Sequence, residues 1–138
     1  VEKNSYLDGV GEGLPAVLKA AKIQKKASKV GFDWPSPIAI TEKIDEELAE
    51  VREELEKQSD AEAPSEALKN EIGDLLFVVT NLARKLKLNP EELIDRTNHK
   101  FVKRFARMEK ALEARGLPLT PEQRDVMEEE WLAAKRFD

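Results

Sequence analysis

The chain has 138 residues, the length of one domain, with 41% hydrophobic residues to fill a core and 37% charged ones for a solvated exterior. Its net charge of −5 argues against a general nucleic-acid binder, and no run approaches the roughly 18 apolar residues that a membrane span needs. Without cysteine it uses neither disulfides nor thiolate ligands, its first residues carry no leader pattern, and a cytoplasmic location is the default expectation.

Gly9, Gly11 and Gly13 predict a loop or tail over residues 1–13, ahead of one domain over 14–138. Pro15 suits the first position of a helix that runs to Val30, and Gly31 can take the left-handed conformation that stops it. Lys19, Lys22, Lys25, Lys26 and Lys29 crowd this helix, either as a solvated face or as a strip for a small anion. Phe32-Asp33-Trp34-Pro35-Ser36-Pro37 reads as an ordered loop, because proline restricts itself and the residue before it.

A second helix is expected from Ile38 to about Gln58, where Ile40, Ile44, Leu48, Val51 and Leu55 recur at steps of four and three. Residues 59–64 form a polar connection. The third helix, about Ser65 to Leu86, carries a stripe of Leu68, Ile72, Leu75, Val79, Leu82 and Leu86. Leu76 and Ala83 widen it, with Phe77 and Val78 on other sides, and this breadth predicts the most buried helix. Asn89-Pro90-Glu91-Glu92 supplies a cap, a first-turn proline and an acidic residue that can bond back, starting a fourth helix that ends near Arg115, before Gly116. Its stripe is Ile94, Phe101, Phe105, Met108 and Leu112. Thr120-Pro121-Glu122-Gln123 repeats the device for a last helix to about Arg136. Nothing alternates with period two, so the fold class is all-α, a bundle of about five helices.

Glu47 and Glu50 stand three apart in the second helix, hence one turn apart on one face, and Glu71 and Asp74 repeat the spacing in the third. If the two helices pack antiparallel, both pairs converge on one flank of their contact. Two carboxylates about 5 Å apart repel by roughly 3 kcal/mol at an effective dielectric near 20, a cost that a cation removes. All-oxygen donors favour Mg²⁺, with Mn²⁺ as substitute, and Mg²⁺ commonly binds through carboxylates and substrate phosphates together. The plainer alternative is a solvated acidic face. It weighs more for Glu46 to Glu50, where Glu53, Glu54 and Glu56 continue the charge, than for the pair on the more apolar third helix.

Lys100 and Arg104 lie one turn apart on the fourth helix, able to reach phosphate oxygens or to pair with surface carboxylates. His99 reads as an exposed bystander and Glu128-Glu129-Glu130 as a solvated face. Trp131, at helical spacing from Met127, is a core residue first and a base-stacking surface second.

Glu46-Glu47-Leu48-Ala49-Glu50 followed by Glu71-Ile72-Gly73-Asp74 resembles the signature of the MazG family of nucleoside triphosphate pyrophosphohydrolases, specifically the C-terminal unit of two-unit bacterial proteins. The flanks are similar too: Val30 to Pro35, Gly73 to Phe77, Asn81 to Arg84, Asn98, Lys100-Phe101, Arg104-Phe105 and Trp131, so the likeness runs from about Leu7 to Arg136. The resemblance implies a dimeric helical bundle that hydrolyses a nucleoside triphosphate between the α and β phosphates, giving monophosphate and pyrophosphate. It implies Glu47, Glu50, Glu71 and Asp74 as metal ligands, and Lys43 and Glu46 in the nucleotide site, Glu46 orienting the attacking water. Lys69 and Asn70 fall where the family contacts nucleotide. Asn98 belongs to the matching basic helix, Lys100, Lys103 and Arg104 would hold phosphates, and Trp131 would lie against base or sugar. No arrangement for a covalent nucleophile is visible, so direct attack by water is expected. Two rivals remain: a nucleotide-sensing or partner-binding bundle without turnover, and a di-iron carboxylate bundle. The latter uses Glu-x-x-His pairs, unlike the pairs here.

Overall fold

The structure, a computed structural model, describes residues 5–60 and 63–138. Residues 1–4 of the expected tail, and Ala61 and Glu62 of the expected connection, lie outside the described residues. Five α-helices follow in order: α1 (Ala16–Ser28), α2 (Pro37–Glu56), α3 (Glu66–Lys85), α4 (Pro90–Ala114) and α5 (Arg124–Ala134). Single 3-10 turns flank α5, at Pro121–Gln123 and Lys135–Phe137. Among the described residues there is no strand, and no helix is long and apolar enough to cross a membrane. The chain forms two compact units, Val1–Glu91 and Glu92–Asp138.

In the first unit α3 packs along α2 and, on another side, against α1. The helix starts follow their sequence signals. Ser36 Oγ accepts from the Ala39 N–H at 3.1 Å and Ser65 Oγ from the Leu68 N–H at 3.1 Å. Asn89 Oδ1 accepts from the Glu91 N–H at 2.9 Å ahead of α4. Pro15 sits one position before α1, which begins at Ala16. Gly31, at φ 91°, closes that helix, and the following Phe32 N–H reaches back to the Ala27 carbonyl. Residues 5–13 fold as successive turns, anchored where Tyr6 Oη donates to the Lys26 carbonyl at 3.1 Å.

Two stripe expectations need correction. On α2 the buried face runs through Ile40, Glu47 and Val51, whereas Leu55 is exposed. A carboxylate therefore occupies a position that periodicity would reserve for an apolar side chain. On α3 the buried residues are Leu68, Val78, Asn81 and Ala83, while Ile72, Leu76, Phe77, Val79 and Leu86 are exposed. The helix still carries more buried residues than any other, but they lie off the expected stripe, and Val78 faces the core. The physical reason is that α1 and α2, packed on different sides of α3, leave part of its apolar surface uncovered. A periodic pattern reports that a face is apolar, not what covers it.

The second unit corrects the fourth stripe in the same way. Met108 and Leu112 are buried, as is Ala134 of α5, but Ile94, Phe101 and Phe105 are exposed. Thr120 does not cap a helix through its side chain; the 3-10 turn intervenes, and α5 is shorter than expected. Glu128 and Glu129 are exposed as expected, whereas Glu130 is half-buried, with its carboxylate 3.3 Å from Arg115 Nη1.

Candidate metal centre

The contact between α2 and α3 holds an acidic cluster. Glu47 is only 6% exposed, rare for a carboxylate unless it is paired or coordinating. One carboxylate oxygen from each of Glu47, Glu71 and Asp74 lies within 4.8 Å of the others. The three-residue spacing on each helix produces this meeting, because it stacks Glu47 over Glu50 and Glu71 over Asp74. Glu50 joins from the next turn. Its carboxyl is pushed above the usual range first by a hydrogen-bonding contact with Glu71 and then by burial, with the Glu71 charge adding to both.

Lys43 provides a counter-charge: its Nζ lies 3.2 Å from Glu47 Oε1 and 3.3 Å from Glu46 Oε1. The hydrogen bond to Glu47 raises the lysine's own pKa. One lysine does not balance four carboxylates. Glu47 Oε2 and Glu71 Oε2 remain buried and without a hydrogen-bond partner. Orphaned anionic oxygens at this spacing, with oxygen the only donor element, fit a hard divalent cation.

The remaining site candidates are placed differently. Glu46 is 59% exposed at its side chain and ion-paired with Lys43. Lys69 is held by Glu66 at 3.2 Å, and Asn70 is exposed. In the second unit Asn98, Lys100 and Lys103 are exposed on α4, and the two lysines line a cleft of 660 Å³ together with Arg107 and Asp138. Arg104 is ion-paired with Asp138, and its guanidinium lies 5.1 Å from the Trp131 ring centre, with Nε buried and unpartnered. Trp131, half-buried, packs on the exposed Phe101 at 4.8 Å, so it is not the core residue that its spacing suggests. His99 is exposed, its Nδ1 2.9 Å from the Asp95 carbonyl one turn earlier.

Sequence reasoning missed a second cluster. Asp33 accepts two hydrogen bonds from Arg84, at 2.6 and 3.2 Å, one from Lys85 at 2.9 Å and one from the Trp34 N–H at 2.8 Å. The Arg84 guanidinium, with help from Lys85, holds the Asp33 carboxyl down at about 2. Asn81, almost fully buried, accepts from Arg84 Nε and Nη2. This latch ties the loop that launches α2 to the end of α3, and so fixes the two acidic helices against each other. The available signal was a lone acid two residues before Pro35 and an Arg-Lys pair closing an amphipathic helix.

Fold and site together define an all-helical protein whose central helix pair carries opposed carboxylates suited to a divalent cation. The model of the MazG nucleotide pyrophosphohydrolase domain matches residues 36–108. The chain is 40% identical over 134 residues to the nucleoside triphosphate pyrophosphohydrolase of Escherichia coli (strain K12), covering 97% of this chain and 50% of that protein. It is also 40% identical over 137 residues to the nucleoside triphosphate pyrophosphohydrolase/pyrophosphatase MazG of Thermotoga maritima, covering 99% and 51%. Against YpjD of Bacillus subtilis, an uncharacterized protein, it is 39% identical over 86 residues, 59% of this chain and 78% of that one. The chain belongs to the MazG nucleotide pyrophosphohydrolase family. It spans about half the length of the E. coli and T. maritima relatives.

Proposed function

We propose that this chain hydrolyses nucleoside triphosphates at the α–β phosphoanhydride, giving a nucleoside monophosphate and pyrophosphate, with Mg²⁺ as cofactor and Mn²⁺ able to replace it. The observation that carries this reading is the convergence of Glu47, Glu71 and Asp74 with two buried, unpartnered carboxylate oxygens among them. The names of the E. coli and T. maritima relatives supply the reaction class.

Glu47, Glu50, Glu71 and Asp74 would hold the cation, which when bound supplies charge neutralisation for the phosphates and acidifies water. Lys43 bridges Glu47 and Glu46 through its two ion pairs. Glu46, exposed beside it, orients the attacking water and accepts its proton as the new P–O bond forms and pyrophosphate departs. Lys69 and Asn70 contact the nucleotide. Asn98, Lys100, Lys103 and Arg104 give donors to phosphate oxygens, with a phosphate replacing Asp138 on the Arg104 fork, and Trp131 offers its ring to base or sugar. The exposed apolar residues Ile72, Leu76 and Val79 of α3, at four- and three-residue steps, support a homodimer through that face.

Incubating the chain with a panel of nucleoside triphosphates, with Mg²⁺ or with EDTA, and following products by phosphorus NMR tests the proposal. Monophosphate and pyrophosphate appearing only with metal supports it. Diphosphate and orthophosphate would refute the cleavage position. Binding without turnover would favour a nucleotide-sensing module instead.

A further inference from the structure

A cleft of 630 Å³ opens between α1 and the turn that joins α3 to α4. Its rim is basic, with Lys22 and Lys25 from α1, Arg84 and Lys85 from the last turn of α3, and Lys87 from the turn itself. No carboxylate lines it. Arg84 and Lys85 are engaged by Asp33 behind the rim. Lys22, Lys25 and Lys87 have no ion pair among the described residues, so they are available to a ligand. Leu18, Leu88 and Pro90 supply an apolar floor.

Lys87 adds an independent observation. It is the one non-glycine at positive φ among the described residues, at 61°. It stands at the stop position of α3, where the Leu88 N–H returns to the Ala83 carbonyl at 2.9 Å. Glycine or asparagine fills such a position with little strain, whereas a lysine there holds its backbone in a disfavoured region. Strain of this kind persists where a side chain has work to do, and this side chain borders the cleft.

We propose that the cleft binds a phosphorylated small molecule with at least two phosphates and an apolar or aromatic part, at a site separate from the carboxylate cluster. Five cations backed by the single carboxylate of Asp33 leave a surplus of four positive charges, more than one phosphate neutralises. The volume falls within the range of small-ligand pockets, roughly 300–1,000 Å³, and the floor takes a base or another apolar group while the lysines take the phosphates. Lys22 and Lys25 also line a neighbouring cleft with Lys26 and Lys29, so the positive field continues along α1. Lys85 lies eleven residues beyond Asp74 on α3, about 17 Å along the axis, so the two sites cannot share one small ligand's phosphates. The inference does not depend on turnover at the carboxylates.

The test is NMR titration of the ¹⁵N-labelled 138-residue chain in EDTA, using ATP, AMP and pyrophosphate as separate probes. ATP is expected to shift the amides of Lys22, Lys25 and Leu88, with AMP and pyrophosphate about tenfold weaker or more. The double variant Lys22→Ala/Lys25→Ala should weaken ATP, read at Leu88, about tenfold or more. Lys87→Gly should weaken it about threefold or more while melting no lower than the parent, which separates a lost contact from a lost fold. Asp74→Asn should leave this affinity within about twofold. Unchanged ATP affinity in both lysine variants, shifts confined to α2 and α4, or pyrophosphate binding as tightly as ATP would each overturn the proposal.

Discussion

Glu47 on α2 and Glu71 on α3 meet with one carboxylate oxygen of each buried and lacking a hydrogen-bond partner. With Asp74 they bring one oxygen apiece within 4.8 Å, and Glu50 leans on the same Glu71 carboxylate. Such a cluster is costly when bare, since unit charges about 5 Å apart repel by roughly 3 kcal/mol at a dielectric near 20. Lys43 offsets part of this, and the remainder makes the metal-free protein less stable than its core alone would allow.

The first prediction follows from that repulsion. Glu71→Gln should stabilise the fold in EDTA by on the order of 1 kcal/mol once screening is allowed for, and so raise the melting temperature. The same variant should lose most of the Mg²⁺-induced stabilisation that the parent shows, which for a ligand at 100 times its Kd is about 2.7 kcal/mol. Thermal unfolding with and without Mg²⁺ reads both effects. A parent chain that gains nothing from Mg²⁺ would refute the metal assignment.

Glu47→Ala and Asp74→Ala should each lower pyrophosphate release about 100-fold or more. Far-ultraviolet circular dichroism should show the helices intact, because neither residue belongs to the apolar part of the core. Full activity in either variant would remove that residue from the site.

Asp33 makes a separate prediction about acid stability. Its carboxyl is held at about 2 in the folded chain, against an ordinary value of 3.8 for aspartate. A depressed folded value means that the stabilisation is fully present above about 4 and is lost as pH falls through about 2. The drop corresponds to roughly 2 kcal/mol. Urea unfolding between pH 2 and 7 should therefore show the parent losing stability in this window, while Asp33→Asn starts lower at pH 7 and varies less across it. Parallel curves would contradict the latch.

The exposed α3 face gives a fourth. Leu76, 64% exposed, should be replaceable by Lys with no loss of helicity, but light scattering should then report the mass of a single 15.6 kDa chain in place of a dimer. A parent chain that is already monomeric would contradict the proposed assembly.

The helices and their starts were legible because proline, glycine and capping side chains act within a few residues. Ser65, Asn89-Pro90 and Gly31 are examples. The acidic pairs were legible because a three-residue step fixes their shared face whatever the tertiary structure. What escaped was long-range. Periodicity gives α3 and α4 their apolar residues but not which of them are covered, so Ile72, Val79 and Ile94 lie exposed where the stripe predicts core. The Asp33–Arg84 latch joins residues 51 apart, a distance at which neither spacing nor propensity carries information. Thr120-Pro121 marks a turn start locally, but it opens a 3-10 turn without a side-chain cap, and α5 begins only at Arg124.

Titration with Mn²⁺, followed by electron paramagnetic resonance, tests the central claim most directly. The parent chain should convert free Mn²⁺ to a bound signal that Mg²⁺ competes away, and a Glu47→Gln/Glu71→Gln variant that remains helical should leave the ion free. Equal Mn²⁺ binding by parent and variant would mean that these carboxylates do not form the metal centre.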